Sequence, residues 1–463
     1  MLNFNKTALT HHLTSTHYGL SAEPTLLDQL YLSLDQQDKL RLRQTFDHTY
    51  LIGVQHLMNS EICLFETMIQ FGIKPQNMRF CGKLYSDYPP AIAAMKSLGM
   101  HIHTLHHDFL SGYFNQHIKM SIRNMWKQAV NDLEHNEKIK NIILLDEGGR
   151  ALEEAPKFLL QQYNFICIEH TRGGLYSKSS QHFNGSLINA ATCPLKTRLE
   201  SPKIIHSVTN NLFNRLENIG NYRQRVYGIV GVGNLGKALF REFKKLGLRV
   251  YIYDQSPERL HDFLNTDHGF AADSFEKLIY NVDTLISTTG TDISKYFDFR
   301  ELTHDLTMIS ISSEDKEFNQ LLRNIQHDAA ALKDIDYITS SGNKLSILSG
   351  GFPVNFNGSA FCVPPKDIII TRALMCGAIL QAAFLITENP YFKAPRGMLS
   401  INAYLQKFLA GQFLSQQLKS GDYNEEDITF FNNLDAVKLN SSGQHIEIPA
   451  FERLISDNMH LTF

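Results

Sequence analysis

Short, continuous apolar runs alternate with helical patterns along the first half of the chain. Apolar runs without polar alternation are typical of strands that are covered on both faces of a parallel sheet. Their alternation with helices predicts right-handed βαβ units, and therefore an α/β domain with a doubly wound parallel sheet. The predicted strands are 51–55, 78–84, 102–105, 141–146, 165–169 and 186–190, and the predicted helices are 61–71, 89–98, 120–135 and 152–162.

A second series of strands begins after a helical stretch at 204–219, in which apolar residues recur at helical spacing. The polar segment 220–225 interrupts the apolar pattern, and we place a boundary near it. The sequence therefore predicts a second α/β unit after the first. Its predicted strands are 226–230, 249–253, 284–288, 307–311, 336–339 and 345–348.

Composition narrows the class of protein. Of the 463 residues, 43% are apolar and 20% are charged, and the net charge is −3. This balance excludes a disordered or fibrous chain and predicts neither a nucleic acid nor a membrane surface as a partner. The six cysteines are scattered without a CxxC pair, which indicates reduced thiols in the cytoplasm rather than a disulfide framework or a zinc site.

Three segments are candidates for a membrane span, a signal peptide and a metal site. Residues 368–387 are the most apolar stretch, but Arg372 and Gln381 within it favour a buried core helix over a membrane span. Residues 1–16 lack the basic start and apolar region of a signal peptide, so we expect no targeting segment. A run of histidines suggests a metal cluster, but an extended run does not make ligands converge, and we expect no metal site. These histidines are His101, His103, His106 and His107.

Residues 231–236 read GVGNLG and match the GxGxxG pattern of dinucleotide-binding loops. They follow an apolar strand and open a helix, so that the first glycine allows the tight turn and the second lets the backbone approach a pyrophosphate. The next strand ends in an aspartate spaced to meet the ribose hydroxyls, and no arginine follows it, which favours NAD over NADP. We therefore predict a Rossmann NAD-binding domain with cofactor contacts from Gly231, Gly233, Asn234, Leu235, Gly236 and Asp254.

Short motifs flank this loop in a fixed order. Residues 53–56 read GVQH, residues 145–149 read LDEGG and residues 169–174 read EHTRGG. Residues 196–201 read KTRLES, and residues 287–293 read STTGTDI. The last four resemble the LDDGGD, EETTTG, KSKFDN and TTTG-with-DI motifs of S-adenosyl-L-homocysteine hydrolases (adenosylhomocysteinases). The resemblance covers roughly residues 45–365, and it identifies the chain as a divergent member of that family.

The resemblance implies chemistry in which tightly held NAD oxidises a ribose 3′-hydroxyl, a thiol leaves by elimination, water adds, and NADH restores the hydroxyl. It implies that Lys196 and Glu200 lie at this hydroxyl, and that His56, Glu147 and His170 lie beside the substrate. It further implies cofactor contacts from Thr288, Thr289, Gly290 and Asn355. The resemblance also implies a homo-oligomer and a role in one-carbon metabolism, and the scattered cysteines predict a cytoplasmic location.

Departures from the family pattern keep the function open. Ser313 stands at the family's catalytic histidine, His170 at a glutamate, and Ser60 and Cys362 at adenine-side positions. The leading hypothesis is therefore an adenosylhomocysteinase-like enzyme with an altered small-molecule substrate, a nucleoside or sugar derivative. The alternatives are adenosylhomocysteinase itself and a non-catalytic NAD-binding protein. The C-terminal residues 458–463 contain no counterpart of the lysine and tyrosine that the family extends into a partner subunit.

The two series of strands and the motifs together give the predicted domain organisation. Residues 1–206 are predicted to form the first part of a substrate domain with a doubly wound parallel sheet, and residues 207–360 the Rossmann domain. Residues 361–463 are predicted to return to the substrate domain and to end in a polar tail. We expect the active site in the crevice between the two domains, outside the carboxyl ends of the strands.

Overall fold

The computed structural model describes residues 25–105, 108–387, 395–420, 424–434 and 443–456. Its first sheet has seven strands in the order β14–β6–β5–β4–β1–β2–β3, and all neighbouring pairs are parallel. The two central strands are buried along their whole length, which explains their unbroken apolar sequence. The strands are β1 Thr49–Val54, β2 Met78–Cys81, β3 His101–His103, β4 Asn141–Asp146, β5 Asn164–Glu169, β6 Ser186–Asn189 and β14 Gly397–Ser400.

Helices cover both faces of this sheet and form two apolar cores with it. Before and within the strand series they are α1 Leu26–Ser33, α2 Gln36–Asp47, α3 Asn59–Phe71, α4 Pro89–Ser97, α5 Phe114–Glu134, α6 Arg150–Glu153, α7 Leu159–Gln162, α8 Arg172–Leu175 and α9 Lys178–Gln181. A π-helical segment, Leu195–Glu200, leads directly into α10 Ser201–Asn218, and α10 connects to the second sheet.

The second sheet also has seven strands, in the order β12–β13–β11–β10–β7–β8–β9. All neighbours are parallel except β12, which pairs antiparallel with β13 at the edge. The strands are β7 Val226–Val230, β8 Arg249–Tyr253, β9 Phe270–Ala271, β10 Thr284–Ser287, β11 Leu306–Ser310, β12 Ile335–Ile338 and β13 Lys344–Ile347, and the helices are α11 Asn234–Lys245, α12 Pro257–Asp267, α13 Phe275–Tyr280 and α14 Asn319–Asn324.

After the second sheet the chain returns to the first. The helix α15 Pro365–Thr387 packs against α1, α2 and α3, and β14 pairs with β6. Among the described residues, α15 is the one helix long and apolar enough to cross a membrane, and 94% of its most apolar window is buried inside the protein. Its side chains belong to the core of the first sheet. The remaining helices are α16 Ala403–Ser420, α17 Glu425–Asn432 and α18 Pro449–Ser456.

The predicted fold class is confirmed, since the protein contains two predominantly parallel α/β sheets and the second has a Rossmann arrangement. The single helix predicted over 152–162 is wrong, because the chain forms α6 and α7 with a break around Pro156. A proline lacks the N–H that a continuous helix needs and restricts the residue before it. No apolar run in the sequence predicts β9 and β14, because these strands are too short or too isolated to give one.

Glu66 on α3 is a partly buried carboxyl outside the candidate site. Burial raises its pKa from 4.5 to about 7, and the nearby Asp28 adds to the shift. The folded protein therefore binds a proton at Glu66 that the unfolded chain has released, so the free energy of unfolding falls as the pH rises from about 4.5 to 7.

We expect Glu66→Gln to remove this slope and to raise the free energy of unfolding at pH 8 by about 1 kcal/mol or more. Near pH 4 the variant and the parent protein should be equally stable. Urea unfolding at the two pH values measures both quantities. Glu217→Gln, at an exposed position of α10, is the matched control and should leave the pH dependence unchanged. A Glu66 variant that behaves like this control would contradict the assignment.

Candidate functional site

A cluster of polar side chains lies where four strands of the first sheet end. Gln55 and His56 follow β1, Lys83 follows β2, Glu147 follows β4 and His170 follows β5. Carboxyl ends of parallel strands meet at one edge of a sheet, which is where ligands bind in open α/β folds. Residues distant in the chain thus become neighbours at this edge.

Glu147 is the centre of the cluster. Its Oε1 lies 2.8 Å from His56 Nε2 and 2.8 Å from Lys83 Nζ. Its Oε2 lies 3.7 Å from His170 Nε2, and within the described residues it has no hydrogen-bond partner. Burial by itself would raise the pKa of Glu147, but the charges of His56 and Lys83 hold it well below its usual value. Glu147 is therefore an ionised, buried carboxylate.

His170 is the neutral member of the cluster. Burial lowers its pKa to about 3, and the positive charge of Lys196 opposes protonation further. Gln55 Nε2 lies 3.1 Å from His170 Nε2, and the same amide nitrogen donates to the carbonyls of Val54 and Leu145 at 2.6 and 3.3 Å. An amide nitrogen cannot accept a hydrogen bond, so Nε2 of His170 is the acceptor in this contact, which corresponds to the tautomer with the proton on Nδ1.

Lys196 and Glu200 form an ion pair across the π-helical segment, with Nζ 2.6 Å from Oε1. Glu200 is buried, and its second oxygen, Oε2, has no hydrogen-bond partner in the described part of the chain. The structure thus brings His56, Glu147 and His170 into direct contact, and Lys196 is close enough to lower the pKa of His170.

The glycine loop of the second sheet has the backbone that a dinucleotide site requires. Gly231 has φ +97°, which favours glycine, and a Cβ on Gly236 would lie 1.9 Å from the Gly231 carbonyl oxygen. A Cβ on Gly233 would meet no atom within 4 Å, so the space above this residue is open. Asn234 is the first residue of α11, and Leu235 is half-buried against the core. The loop therefore fits a pyrophosphate at a helix N-terminus.

Asp254 joins this loop to the end of β8. Its carboxylate accepts hydrogen bonds from the backbone N–H groups of Val232 and Ser256, each at 2.8 Å. A carboxylate has about four lone-pair sites, so two of them are available for ribose hydroxyls. Asp254 therefore fits the expected contact and also holds the loop in position.

Thr288, Thr289 and Gly290 form the loop after β10. Thr288 Oγ1 donates to the carbonyls of Val230 and Gly231 at 3.1 and 2.8 Å, so this hydroxyl stabilises the glycine loop. Thr289 Oγ1 and the Gly290 N–H donate to Glu317, each at 2.6 Å.

Glu317 organises the loops after β10 and β11, and the sequence analysis did not identify it. It is fully buried and also accepts hydrogen bonds from the hydroxyls of Ser287 and Ser312. A buried carboxylate needs such donors. The only signal in the sequence is that hydroxyl residues follow both strand ends.

The segment after β13 connects the cofactor side to the cluster. Asn355 is buried, its Oδ1 has no hydrogen-bond partner among the described residues, and Asn211 donates to its carbonyl at 3.1 Å. The next residue, Phe356, stacks on His56 with ring centroids 5.0 Å apart. Asn355 therefore has a free amide oxygen and lies one residue before the side chain that contacts His56.

A second link between the sheets is ionic. Arg150, at the start of α6, pairs with Glu314, which follows β11 and is buried with φ +70°. Asp315 accepts hydrogen bonds from the N–H groups of Gly112 and Phe114, at 2.7 and 3.4 Å. Arg150, Glu314 and Lys83 were not predicted as site residues, although each follows or adjoins a strand end. Ser313, next to Glu314, has no titratable side chain.

Ser60 and Cys362 stand at the positions that the resemblance assigns to the adenine side, and their surroundings differ from those that the resemblance implies. Ser60 Oγ donates to Glu61 at 2.8 Å, and Glu61 pairs with the buried Arg372 at 2.6 Å. Cys362 lies 3.7 Å from the sulfur of Met58. Burial raises the pKa of Cys362 to about 12, so it is a thiol and not a nucleophile.

The histidines of β3 take part in a structural network. His103 Nε2 lies 2.7 Å from Arg79, and burial together with that charge lowers the pKa of His103 to about 4. His106 and His107 lie outside the described residues. In the ranges that the structure describes, no group of three or more His, Cys, Asp or Glu side chains could hold a metal ion.

Comparison with protein families matches residues 202–294 to "D-isomer specific 2-hydroxyacid dehydrogenase, NAD binding domain". The match covers about a fifth of the chain and includes the glycine loop, Asp254 and the loop after β10. This part of the protein is therefore an NAD-binding domain, and the predicted cofactor, NAD, is confirmed. The resemblance to adenosylhomocysteinases stays a prediction.

Relatives and solved structures complete the comparison. Uncharacterized proteins of Mycobacterium tuberculosis strains CDC 1551 / Oshkosh and ATCC 25618 / H37Rv are each 26% identical over 355 residues, which span 75% of this chain and 66% of the relative. Dipicolinate synthase A chain from Bacillus subtilis aligns with a TM-score of 0.34 and 10% identity, over 72% of this chain and 96% of that chain. A 2-hydroxyacid dehydrogenase from Ketogulonicigenium vulgare Y25 gives 0.31 and 10%, over 58% and 73%.

We expect Gly233→Val to abolish NAD binding, because the added side chain would occupy the open space through which the backbone approaches the pyrophosphate. Isothermal titration calorimetry with NAD measures the loss. Gly173→Val is the matched control, since a Cβ there also meets no atom within 4 Å but lies in the first domain. Equal NAD affinity of both variants would show that the loop is misassigned.

Proposed function

We propose that this protein is an NAD-dependent enzyme similar to adenosylhomocysteinase. It would oxidise a hydroxyl of a nucleoside or sugar derivative transiently and would carry out elimination and hydration on the oxidised substrate. One observation supports this most. An ionised Glu147 and a neutral His170 lie side by side at the end of the first sheet, and Phe356, from the segment after the Rossmann strands, stacks on His56. The contact of Phe356 with His56 joins the segment after the Rossmann strands to this acid–base cluster, which supports a site that combines redox and proton-transfer chemistry.

NAD, held by the glycine loop and Asp254, would supply a hydride acceptor. Glu200 fits the role of base at the reacting hydroxyl, because its buried Oε2 is free to accept the hydroxyl proton. Lys196 donates to Oε1 of the same carboxylate, which orients it and balances its charge. The four-residue spacing keeps the two side chains on one face of the helical segment.

Proton transfer next to the oxidised carbon would use the other cluster. Glu147 Oε2 has no hydrogen-bond partner among the described residues, so it can take a proton from the substrate and return it. The neutral His170, whose Nε2 lies 3.7 Å from this oxygen, would border the substrate beside it. His56 donates from Nε2 to Glu147 and is held on its other side by Ser86. Glu147 and His170 are both buried, which keeps bulk solvent away from the reacting atoms during the elimination step.

Ser60, Cys362 and Ser313 favour an altered substrate over adenosylhomocysteine. A pocket that hydrogen-bonds adenine loses affinity steeply when its polar partners are replaced. Adenosylhomocysteinase itself and a non-catalytic NAD-binding protein remain the alternatives. The family match of residues 202–294 favours a further candidate, a net dehydrogenase of 2-hydroxy acids.

The proposal also includes the domain limits, the substrate class, the oligomeric state and the cellular location. The domain limits 1–206, 207–360 and 361–463 are supported by α15 and β14, which join the first sheet after the second is complete. We further propose a small-molecule substrate, a homo-oligomer and a cytoplasmic location. The scattered cysteines support the cytoplasmic location, because all six are free thiols.

We expect purified protein with NAD to release free thiol from adenosylhomocysteine far more slowly than a few turnovers per second, the ordinary enzyme range. A nucleoside or sugar with a free vicinal diol should instead produce NADH absorbance at 340 nm, which Lys196→Ala removes. Lys178→Ala, an exposed lysine of α9, is the control and should leave the signal unchanged.

Each remaining outcome identifies an alternative. Thiol release at several turnovers per second would establish adenosylhomocysteinase itself. Net NADH accumulation with a D-2-hydroxy acid alone would favour the dehydrogenase. Bound NAD that no substrate reduces would favour the non-catalytic protein.

A further inference from the structure

The side chains around His56 close a ring of polar contacts that begins and ends at one residue, Lys83. The Lys83 ammonium lies 2.8 Å from Glu147 Oε1, and the same oxygen lies 2.8 Å from His56 Nε2. On its other side, His56 Nδ1 contacts Ser86 Oγ, and Ser86 Oγ donates to the Lys83 carbonyl at 3.1 Å. The Lys83 side chain therefore contacts the His56–Glu147 pair directly at Glu147, and the main-chain carbonyl of the same residue contacts it at His56 through Ser86.

A buried ammonium in such a position requires an explanation. The Lys83 side chain is 4% exposed, and removing a charge from water costs several kcal/mol unless a partner compensates it. Glu147 supplies that compensation at contact distance. Because Glu147 in turn has one oxygen bound by two donors and one oxygen free, the pair leaves only Oε2 for a substrate.

The chemistry of Lys83 excludes one role. Burial would lower its pKa, but Glu147 and other neighbours raise it above the ordinary value of 10.5. Lys83 thus remains an ammonium at neutral pH and cannot act as an amine nucleophile or form a Schiff base. The groups that act on it are Glu147, Tyr85 and Glu314, and those that face Glu147 are His56, Lys83 and His170.

We propose that Lys83 is a positioning residue of the candidate site, which holds Glu147 and His56 in a single arrangement and directs the free Glu147 oxygen toward the substrate. Its catalytic consequence rests on the proposed function, but the arrangement itself does not. The segment after β2 that carries Lys83 and Ser86 would then be part of the active site, although neither residue was predicted as a site residue.

The decisive experiment follows the His56 titration by NMR in protein labelled with ¹³C at histidine Cε1. The His56 signal, one of 20 histidines, is assigned by its loss in His56→Gln. Lys83→Met retains the stem of the side chain and removes its charge. Loss of a nearby cation favours protonated His56, so we expect the midpoint of its titration to move up by about one pH unit or more.

Lys119→Met is the matched control, because Lys119 also pairs with a glutamate of the first domain, Glu153, at 2.7 Å. It should leave the His56 midpoint unchanged. Lys83→Gln is the second variant in case Lys83→Met does not fold, since glutamine keeps an N–H donor for Glu147 but carries no charge, and the same upward shift is expected. A midpoint in the folded Lys83 variant equal to that of Lys119→Met would overturn the proposal.

A second measurement separates the proposal from the proposed function. If a substrate reduces NAD, Lys83→Met should lower kcat about tenfold or more and leave NAD affinity unchanged, because misplacement of catalytic groups by about 1 Å costs up to about 100-fold. A shifted titration without any turnover would count against the proposed function alone. Turnover with unchanged kcat in Lys83→Met would count against the role of Lys83 alone.

Discussion

The burial of the Glu147 carboxylate is the constraint on which the candidate site depends. An ionised carboxylate removed from water is costly unless charged donors surround it. Here the donors come from the ends of two other strands, His56 after β1 and Lys83 after β2. The loops after three strands therefore have to converge on one oxygen atom, which fixes their mutual positions and leaves Oε2 beside His170.

A buried carboxylate with several donors also organises the loops on the cofactor side. Glu317 is fully buried and gathers hydroxyl and N–H donors from the loops after β10 and β11, next to the glycine loop. Asp254 ties that loop to β8 through two backbone N–H groups. Polar contacts between the two halves, such as Arg150 with Glu314, add a third set of paired charges. Buried carboxylates with donors from several strand ends thus shape both sides of the site.

NAD binding, proton transfer and substrate choice are supported by different features of the structure. NAD binding follows from the family match and from a loop whose glycines have the required space and dihedral angles. The proposed proton transfer would depend on an ionised Glu147 beside a neutral His170, and environment rather than residue type sets these two protonation states. The proposed choice of an altered substrate rests on positions such as Ser60 and Cys362, where the surroundings differ from those that the resemblance implies.

The sequence by itself determined the α/β class, most strand positions and the NAD loop, because these depend on local patterns: apolar runs, helical spacing and glycines at fixed intervals. It failed at the helix predicted over 152–162, where the chain breaks near Pro156. It also failed at β9, which has only two residues, and at β14, which pairs with the distant strand β6. It proposed His56, Glu147 and His170 through a resemblance, but not Lys83, Glu314 or Glu317. Only the tertiary structure decided which charges meet, since a buried ion pair forms between residues far apart in the chain, and its distance and burial are set by how the sheets and loops pack.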